Sequence, residues 1–571
     1  MKKTGYCARY LICTWLLLLF HSGYAQDTSA LIFYTAGGKI LTMTGNQPTY
    51  VESVVVQHGK ITYAGSKAHA LRYKKAHANM RPVQPGEVLM PAFIDAHGHV
   101  VQDATTADLT DLSPAPYGTV NDIPAIQQAI QDTIRKSPTD TAIIIGIGYD
   151  DSRLKELRHP TKTELDVISA AHPVYVAHVS GHMGVANSKL LHLLGFDIPG
   201  ATVPGGVIVK DGDGKPLGLV MENAHIAVLL FIQKHSAAPD PAKVMQSLLR
   251  SEKKWFSYGI TTLCEGRADP NAINLVRTAN QQGLLSGDFI VVPDYDLNRY
   301  QLPALKPYYN KYDGHFKIGA IKFTFDGSPQ GRSAWLSQPY LNPPLGELPG
   351  YAGHPIYHHD SAYQFVKSVF QLGMQVHIHC NGDSAIHEGL HLIDTLKDFV
   401  QKDMINVLIH SQVCRPDQVP LFKKYNVMPS WFPTHCYIWG AWHRDSILGP
   451  ARAAHISPLK QGLDNQVLFT IHTDAPVTPP DLLTAVYSAV NRRTYKDNQV
   501  LGPDQVISAY EALKAITINS AIQWGEANTK GTIEVNKRAD LVLLKGNPLT
   551  DDQRYIKIIA TFKDGQKVYG K

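Results

Sequence analysis

A (β/α)8 TIM barrel with a large insert after its first strand, plus a small composite β-sandwich from both chain ends, is the fold class (α/β) this sequence predicts. Three observations carry it. Short apolar runs recur at helix-length intervals from about residue 242 onward. An apolar run over 91–96 precedes them and ends in two histidines one residue apart, His97 and His99. Short alternating segments stand at both chain ends, too small for cores of their own.

The 571 residues, 44% hydrophobic and 18% charged, supply ample core for independent folding. The net charge of +5 is small for this length and Lys and Arg are scattered, which argues against nucleic acid or an anionic membrane and for a small-molecule substrate. The oligomeric state is left open, a homo-oligomer included. Residues 1–25 read as a secretory signal peptide, with Lys2 and Lys3, an apolar run from Tyr10 to Phe20, and small residues at Gly23 and Ala25. No later apolar stretch is long enough to span a bilayer. The mature chain is therefore expected to be exported, with no membrane partner after signal cleavage, and periplasmic in a Gram-negative host. Cys7 and Cys13 leave with the signal, and the wide spacing of Cys264, Cys380, Cys414 and Cys436 predicts buried free thiols.

In chain order, residues 27–90 predict a small antiparallel β-layer broken by Gly37-Gly38, Gly59 and Gly65. The barrel follows over 91–525. Its insert, about 101–250, contains apolar strands at 141–146 and 173–177 and a hairpin over 205–220 turning at Asp-Gly. Seven further strands are expected near 259–264, 288–292, 317–323, 375–379, 406–410, 426–429 and 466–472, making eight with the opening one. Residues 526–571 hold strands that pair naturally with the N-terminal layer.

In a barrel, alternate strand residues face the axis, and functional groups gather at the C-terminal strand ends. This parity places Phe93, Asp95, His97 and His99 on one face of the first strand, and Ile318, Ala320, Lys322, Thr324 and Asp326 inward on the fourth. It likewise groups Gln375, His377 and His379, then Leu408, His410 and Gln412, then Leu468, Thr470, His472 and Asp474. Imidazoles and carboxylates suit zinc and related divalent ions, so His97, His99, His379, His410 and Asp474 form a metal-ligating set. An inward lysine is costly unless neutralised. One solution for Lys322 is a carbamate formed with CO2, an anionic oxygen donor able to bridge two ions.

Pro91-Ala92-Phe93-Ile94-Asp95-Ala96-His97-Gly98-His99, Ile321-Lys322-Phe323, His377-Ile378-His379, Ile409-His410-Ser411-Gln412, Thr473-Asp474-Ala475-Pro476 and Lys537-Arg538-Ala539-Asp540-Leu541 together resemble the amidohydrolase superfamily. The similar branch is the one that includes N-substituted formamide deformylase. The resemblance spans essentially the whole mature chain and departs at Cys380-Asn381, where an Ala and an aliphatic residue are commoner, which bears on substrate preference.

The resemblance implies His97 and His99 on a first metal, His379 and His410 on a second, carboxylated Lys322 between them, and Asp474 as first-metal ligand and general base. One or two zinc ions would serve; with Lys322 unmodified, a mononuclear site stays open. The implied activity is hydrolysis of a non-peptide C–N bond, an amide or N-substituted formamide. A deaminase or cyclic-amide hydrolase on the same metal site is an alternative, as is a non-catalytic binding protein on this scaffold. Substrate contacts are expected from Gln412 and from loops over the barrel mouth carrying His182, Arg332 and Arg452.

Overall fold

Both chain ends meet in one six-stranded sheet: Leu541–Lys545 runs antiparallel to Glu87–Pro91 on one side and to Lys557–Lys563 on the other, and Glu87–Pro91 pairs in parallel with Lys39–Leu41. These strands belong to a computed structural model that describes residues 30–74, 78–136, 142–236, 240–344 and 346–570. The signal-peptide reading of 1–25, with Cys7 and Cys13, lies outside the described residues. A second, four-stranded sheet contains Leu31–Thr35, which pairs antiparallel with Ser53–Gln57 but parallel with Asn79–Val83. The N-terminal layer is thus mixed, correcting the antiparallel expectation. The strand Lys60–Gly65 and the helix Lys67–Ala70 intervene, and a crossover of that length returns the chain in its starting direction. Phe33, Leu89, Leu541 and Phe562 share the core between the two sheets, with the Phe33 and Phe562 rings edge to face at 5.1 Å.

Parallel strands form two arcs. One holds Phe93–Ile94, Ile260–Ala268, Asp288–Pro293 and Phe316–Ile318; the other holds Ile321–Thr324, Val376–Cys380, Asn406–His410, Val427–Trp431 and Thr470–Ile471. A parallel bridge between Asp294 and Lys322 links them. The predicted fourth strand is therefore split at Gly319-Ala320. Close packing requires a glycine at the break, because a Cβ on Gly319 would lie 2.4 Å from Ile290 Cγ2 and 2.7 Å from the Trp524 ring. The split also corrects the predicted parity. Ile318 packs outward with Phe316 and Ile321, and Lys317 turns in to Glu526 and to the Trp524 carbonyl. Inside the strands, Ile94, Cys264, Ile290, Val292, Ala320, Ala521 and Trp524 form an apolar floor.

The insert is a separate six-stranded sheet with its own core, containing Ile144–Tyr149, Val174–His178, Met183–Ala186 and the hairpin of Gly206–Lys210 with Pro216–Glu222. The helix Pro241–Ser257, whose first ten residues fell in the expected insert, buries Trp255 and Phe256 in the main core beside Ile260 and Leu263. Cys264, Cys380, Cys414 and Cys436 are free and buried.

Candidate functional site

His97 and His99 are delivered by a bend rather than by a strand face. Regular pairing stops at Ile94. Phe93 packs in the outer core with Trp255, and Asp95 turns the same way, accepting a hydrogen bond from Trp255 Nε1 at 3.1 Å and one from the His97 amide at 3.2 Å. The predicted shared face of Phe93, Asp95, His97 and His99 is corrected: Asp95 braces the bend that aims the histidines. Gly98 permits it, since a Cβ there would lie 2.5 Å from Asp95 Oδ2.

His410 arrives by a second backbone departure. Leu408 packs in the outer core, while Val407 and Ile409 pack inward with Met428 and Ile522. The predicted inward face of Leu408 and His410 is therefore wrong for Leu408. His410 reaches the site because its φ is 70° and that of Ser411 is 43°, strained values for side chains with a Cβ and common at functional sites. His379 and His472 follow strand parity as expected.

Asp474 Oδ1 lies 3.3 Å from His97 Nε2 and 3.2 Å from His99 Nε2. Lys322 Nζ is 3.4 Å from His97 Nε2, and the His379 and His410 rings are 4.6 Å apart. Outer partners orient three of the predicted ligands, His99, His410 and His379. His99 Nδ1 meets Glu265 Oε1 at 3.4 Å, and Glu265 also accepts the Val101 amide at 2.7 Å. His410 Nδ1 meets His472 Nε2 at 3.1 Å, whose Nδ1 meets Ser430 Oγ at 2.9 Å. His379 Nε2 lies 3.1 Å from both the Gly327 carbonyl and Asn381 Nδ2. The sequence departure at Asn381 thus touches a ligand directly.

The electrostatics favour a cation. Burial holds His97, His379 and His410 well below the ordinary imidazole range, so they present lone pairs. Burial would push the Asp474 carboxyl up, yet His410, His97 and His99 hold it well below the carboxylate range. Burial likewise opposes charge on His99, but Asp474 and Glu265 outweigh it and raise the group to about 9. Burial lowers the Lys322 amine to about 8 against the pull of Asp474. One atom of each of His97, His99 and Asp474 lies within 4.8 Å of the others, and Asp474 Oδ1 is buried without a hydrogen-bond donor. A divalent ion there would displace the His99 proton and meet three converging ligand atoms.

All six predicted ligands line one cavity of about 640 Å³, together with His178, His182, Arg267 and Trp439. His182, predicted to touch substrate, does line it, with Nδ1 3.0 Å from Glu222 Oε2 and its ring 5.1 Å from that of His379. The other three predicted contacts stand away from its walls. Arg332 donates to the Asn342 carbonyl and stacks on Trp442 at 4.8 Å. Gln412 is fully buried with both side-chain polar atoms unpartnered. Arg452 donates to the carbonyls of Leu448, Gln338 and Pro339 and borders a separate hollow beside Arg415 and Asp383. Sequence reasoning missed Glu222, Glu265 and Arg267. The signal for the last two was available, since Glu265-Gly266-Arg267 follows an apolar strand at the end where functional groups gather.

The sequence profile of the amidohydrolase family matches residues 85–569. The chain belongs to the amidohydrolase family. Within this amidohydrolase, the match runs from the strands of the composite sheet through every predicted ligand to the C-terminal strands. N-substituted formamide deformylase of Arthrobacter pascens is 25% identical over 537 residues, 90% of this chain and 94% of that one. Among solved structures, a metal-dependent hydrolase of Pyrococcus horikoshii superposes with a TM-score of 0.71 at 23% identity, covering 92% of this chain and 99% of its own. A zinc-bound adenosine deaminase of Xanthomonas campestris shares the fold at a TM-score of 0.52 and 14% identity, covering 94% of this chain and 92% of its own.

Proposed function

We propose that this amidohydrolase is a metal-dependent hydrolase of a non-peptide C–N bond, in an amide or N-substituted formamide. The observation that carries the reading is the convergence of His97 Nε2, His99 Nε2 and the donorless Asp474 Oδ1. Those three residues would hold one zinc ion; His379 and His410 would hold a second, with Lys322 as carbamate between them. When bound, the metal supplies a Lewis acid and a water acidic enough to be deprotonated near neutral pH. Asp474 would take a proton from the attacking water and hand it to the leaving nitrogen; its depressed pKa keeps it ionised, as both roles require. Glu265 and His472 fix the orientation of His99 and His410. The closed β-layer of both chain ends and a closed eight-stranded barrel belong to the same reading, as does export directed by residues 1–25.

The test is metal analysis of the purified chain combined with an amide and formamide panel. The expected result is one or two divalent ions per chain and chelator-sensitive release of amine. A metal content near zero with no hydrolysis across the panel overturns the proposal.

A further inference from the structure

Arg267 stands near the end of Ile260–Ala268, flanked along the strand by buried Glu265 and Ala268, yet 39% of its side-chain surface is open. That surface faces inward, because Arg267 lines the same cavity as Lys322, His379 and Asp474. Its neighbours locate it. Arg267 Nε donates to Asp294 Oδ2 at 2.8 Å, and Asp294 is bridged through its backbone to Lys322. Two residues before it, Glu265 is bridged to His99. The guanidinium is thus held between the strand end that carries His99 and the one that carries Lys322.

Among the described residues, neither Nη nitrogen of Arg267 has a hydrogen-bond partner; the Asp294 contact uses Nε alone. Those N–H donors open into the cavity, where the acceptors of a ligand can meet them. A guanidinium fork matches planar, two-oxygen acceptors, which it binds through two parallel N–H bonds. Asp294 offsets the positive charge, and Glu222 is also close enough to act on Arg267. A nearly neutral pair beside another carboxylate suits a monoanion better than a phosphate dianion. The walls beyond the polar groups, including Ala177, Val179, Ile226, Trp439 and Val477, are apolar.

We propose that Arg267 is a carboxylate-binding subsite and that the substrates are carboxylate-bearing amides whose acid group is gripped by both Nη nitrogens. The scissile amide rests on the function proposed above; the anion subsite does not. Equilibrium binding separates the two. Calorimetry on the full chain carrying Asp474→Asn, to suppress turnover, compares N-formylleucine with N-isoamylformamide, which lacks only the carboxylate. N-formylleucine is expected to bind at least about tenfold tighter, as a charge-assisted bidentate pair implies. Adding Arg267→Gln should erase the difference while leaving the neutral amide unchanged, and Arg267→Lys, which keeps charge but not the fork, should recover part of it. Equal binding of the two compounds overturns the proposal, as does a variant that weakens both alike. Tighter binding of isoamyl phosphate than of N-formylleucine overturns the assignment to carboxylate. If Arg267→Gln does not fold, as judged by circular dichroism, the drop in preference in Arg267→Lys decides. Absence of turnover of any amide by the unmodified chain bears on the hydrolase reading alone.

Discussion

In the proposed reaction Asp474 would both face a metal and carry a proton, and its surroundings suit one carboxylate to both roles. Oδ1 faces His97 and His99, and the proton His99 holds toward it, or a cation in that proton's place, keeps the group ionised. Asp474→Asn keeps the shape and one oxygen but cannot accept the attacking water's proton. Turnover should fall about 10²- to 10⁴-fold with metal still bound, checked by steady-state kinetics beside metal analysis; unchanged turnover would remove Asp474 from the base role. Lys322 gives a pH test. Its amine is lowered to about 8, so the neutral form able to add CO2 grows as pH rises through that value. At fixed dissolved CO2, a 13C carbamate signal on the chain should strengthen from pH 7 to pH 9 and vanish in Lys322→Ala.

Strands and helices deliver these residues through their irregularities as much as their regular parts. The Phe93–Ile94 strand stops before the histidines it serves, and Asn406–His410 ends in positive φ values that swing His410 inward. Below them the helix Ile518–Gln523 and the following Trp524 close the floor. Gln523 donates to the Ala96 carbonyl at 2.7 Å; the Trp524 indole donates to the Asp95 carbonyl at 3.0 Å and stacks on His377 at 4.8 Å. Trp524 therefore supports the bend carrying His97. Trp524→Ala should cost about 3–5 kcal/mol of stability by removing a large buried ring, measured by urea denaturation, and should weaken metal binding although no ligand is changed. Full stability with intact metal affinity would refute this supporting role.

The whole molecule is tied together by charges that join the C-terminal segment to the parallel strands. Asp288 at the start of Asp288–Pro293 is fully buried and receives Lys530 at 2.7 Å, Arg538 at 2.9 Å and Lys563 at 3.1 Å. Burial pushes the Asp288 carboxyl up, but Lys530, Lys563, His315 and Arg538 hold it well below the usual range. The unfolded chain then binds the proton more readily, so this contribution is complete above the ordinary carboxylate pKa and is lost as pH falls below it. Asp288→Ala leaves Lys530 with Glu526 and Lys563 with Asp540 and Asp564 but removes the carboxylate they share, and should destabilise the chain by about 3 kcal/mol at neutral pH. The deficit against the unmodified chain, read from denaturation midpoints, should shrink on acidification; a deficit independent of pH would show that packing rather than charge is lost.

The convergence of the predicted ligands on one cavity was legible in sequence because functional groups of a barrel gather at strand ends, and composition with spacing marks those ends. His97, His99, Lys322, His379, His410 and Asp474 line one cavity for that reason. Parity failed at Asp95, Ile318 and Leu408, where backbone breaks reset which face points inward, and such breaks follow from packing against Trp255, Trp524 and Ile522 that local pattern does not encode. Loop residues were hardest to place. Arg332, Gln412 and Arg452 sit beside predicted site segments in sequence but point elsewhere, while Arg267 enters the cavity from a strand end that carries no ligand motif, and Glu222 reaches it only through His182. By itself, the sequence determined the chemistry available to this chain. Only the tertiary structure decided which charges face the substrate, because long-range burial sets where a flexible side chain can find a partner.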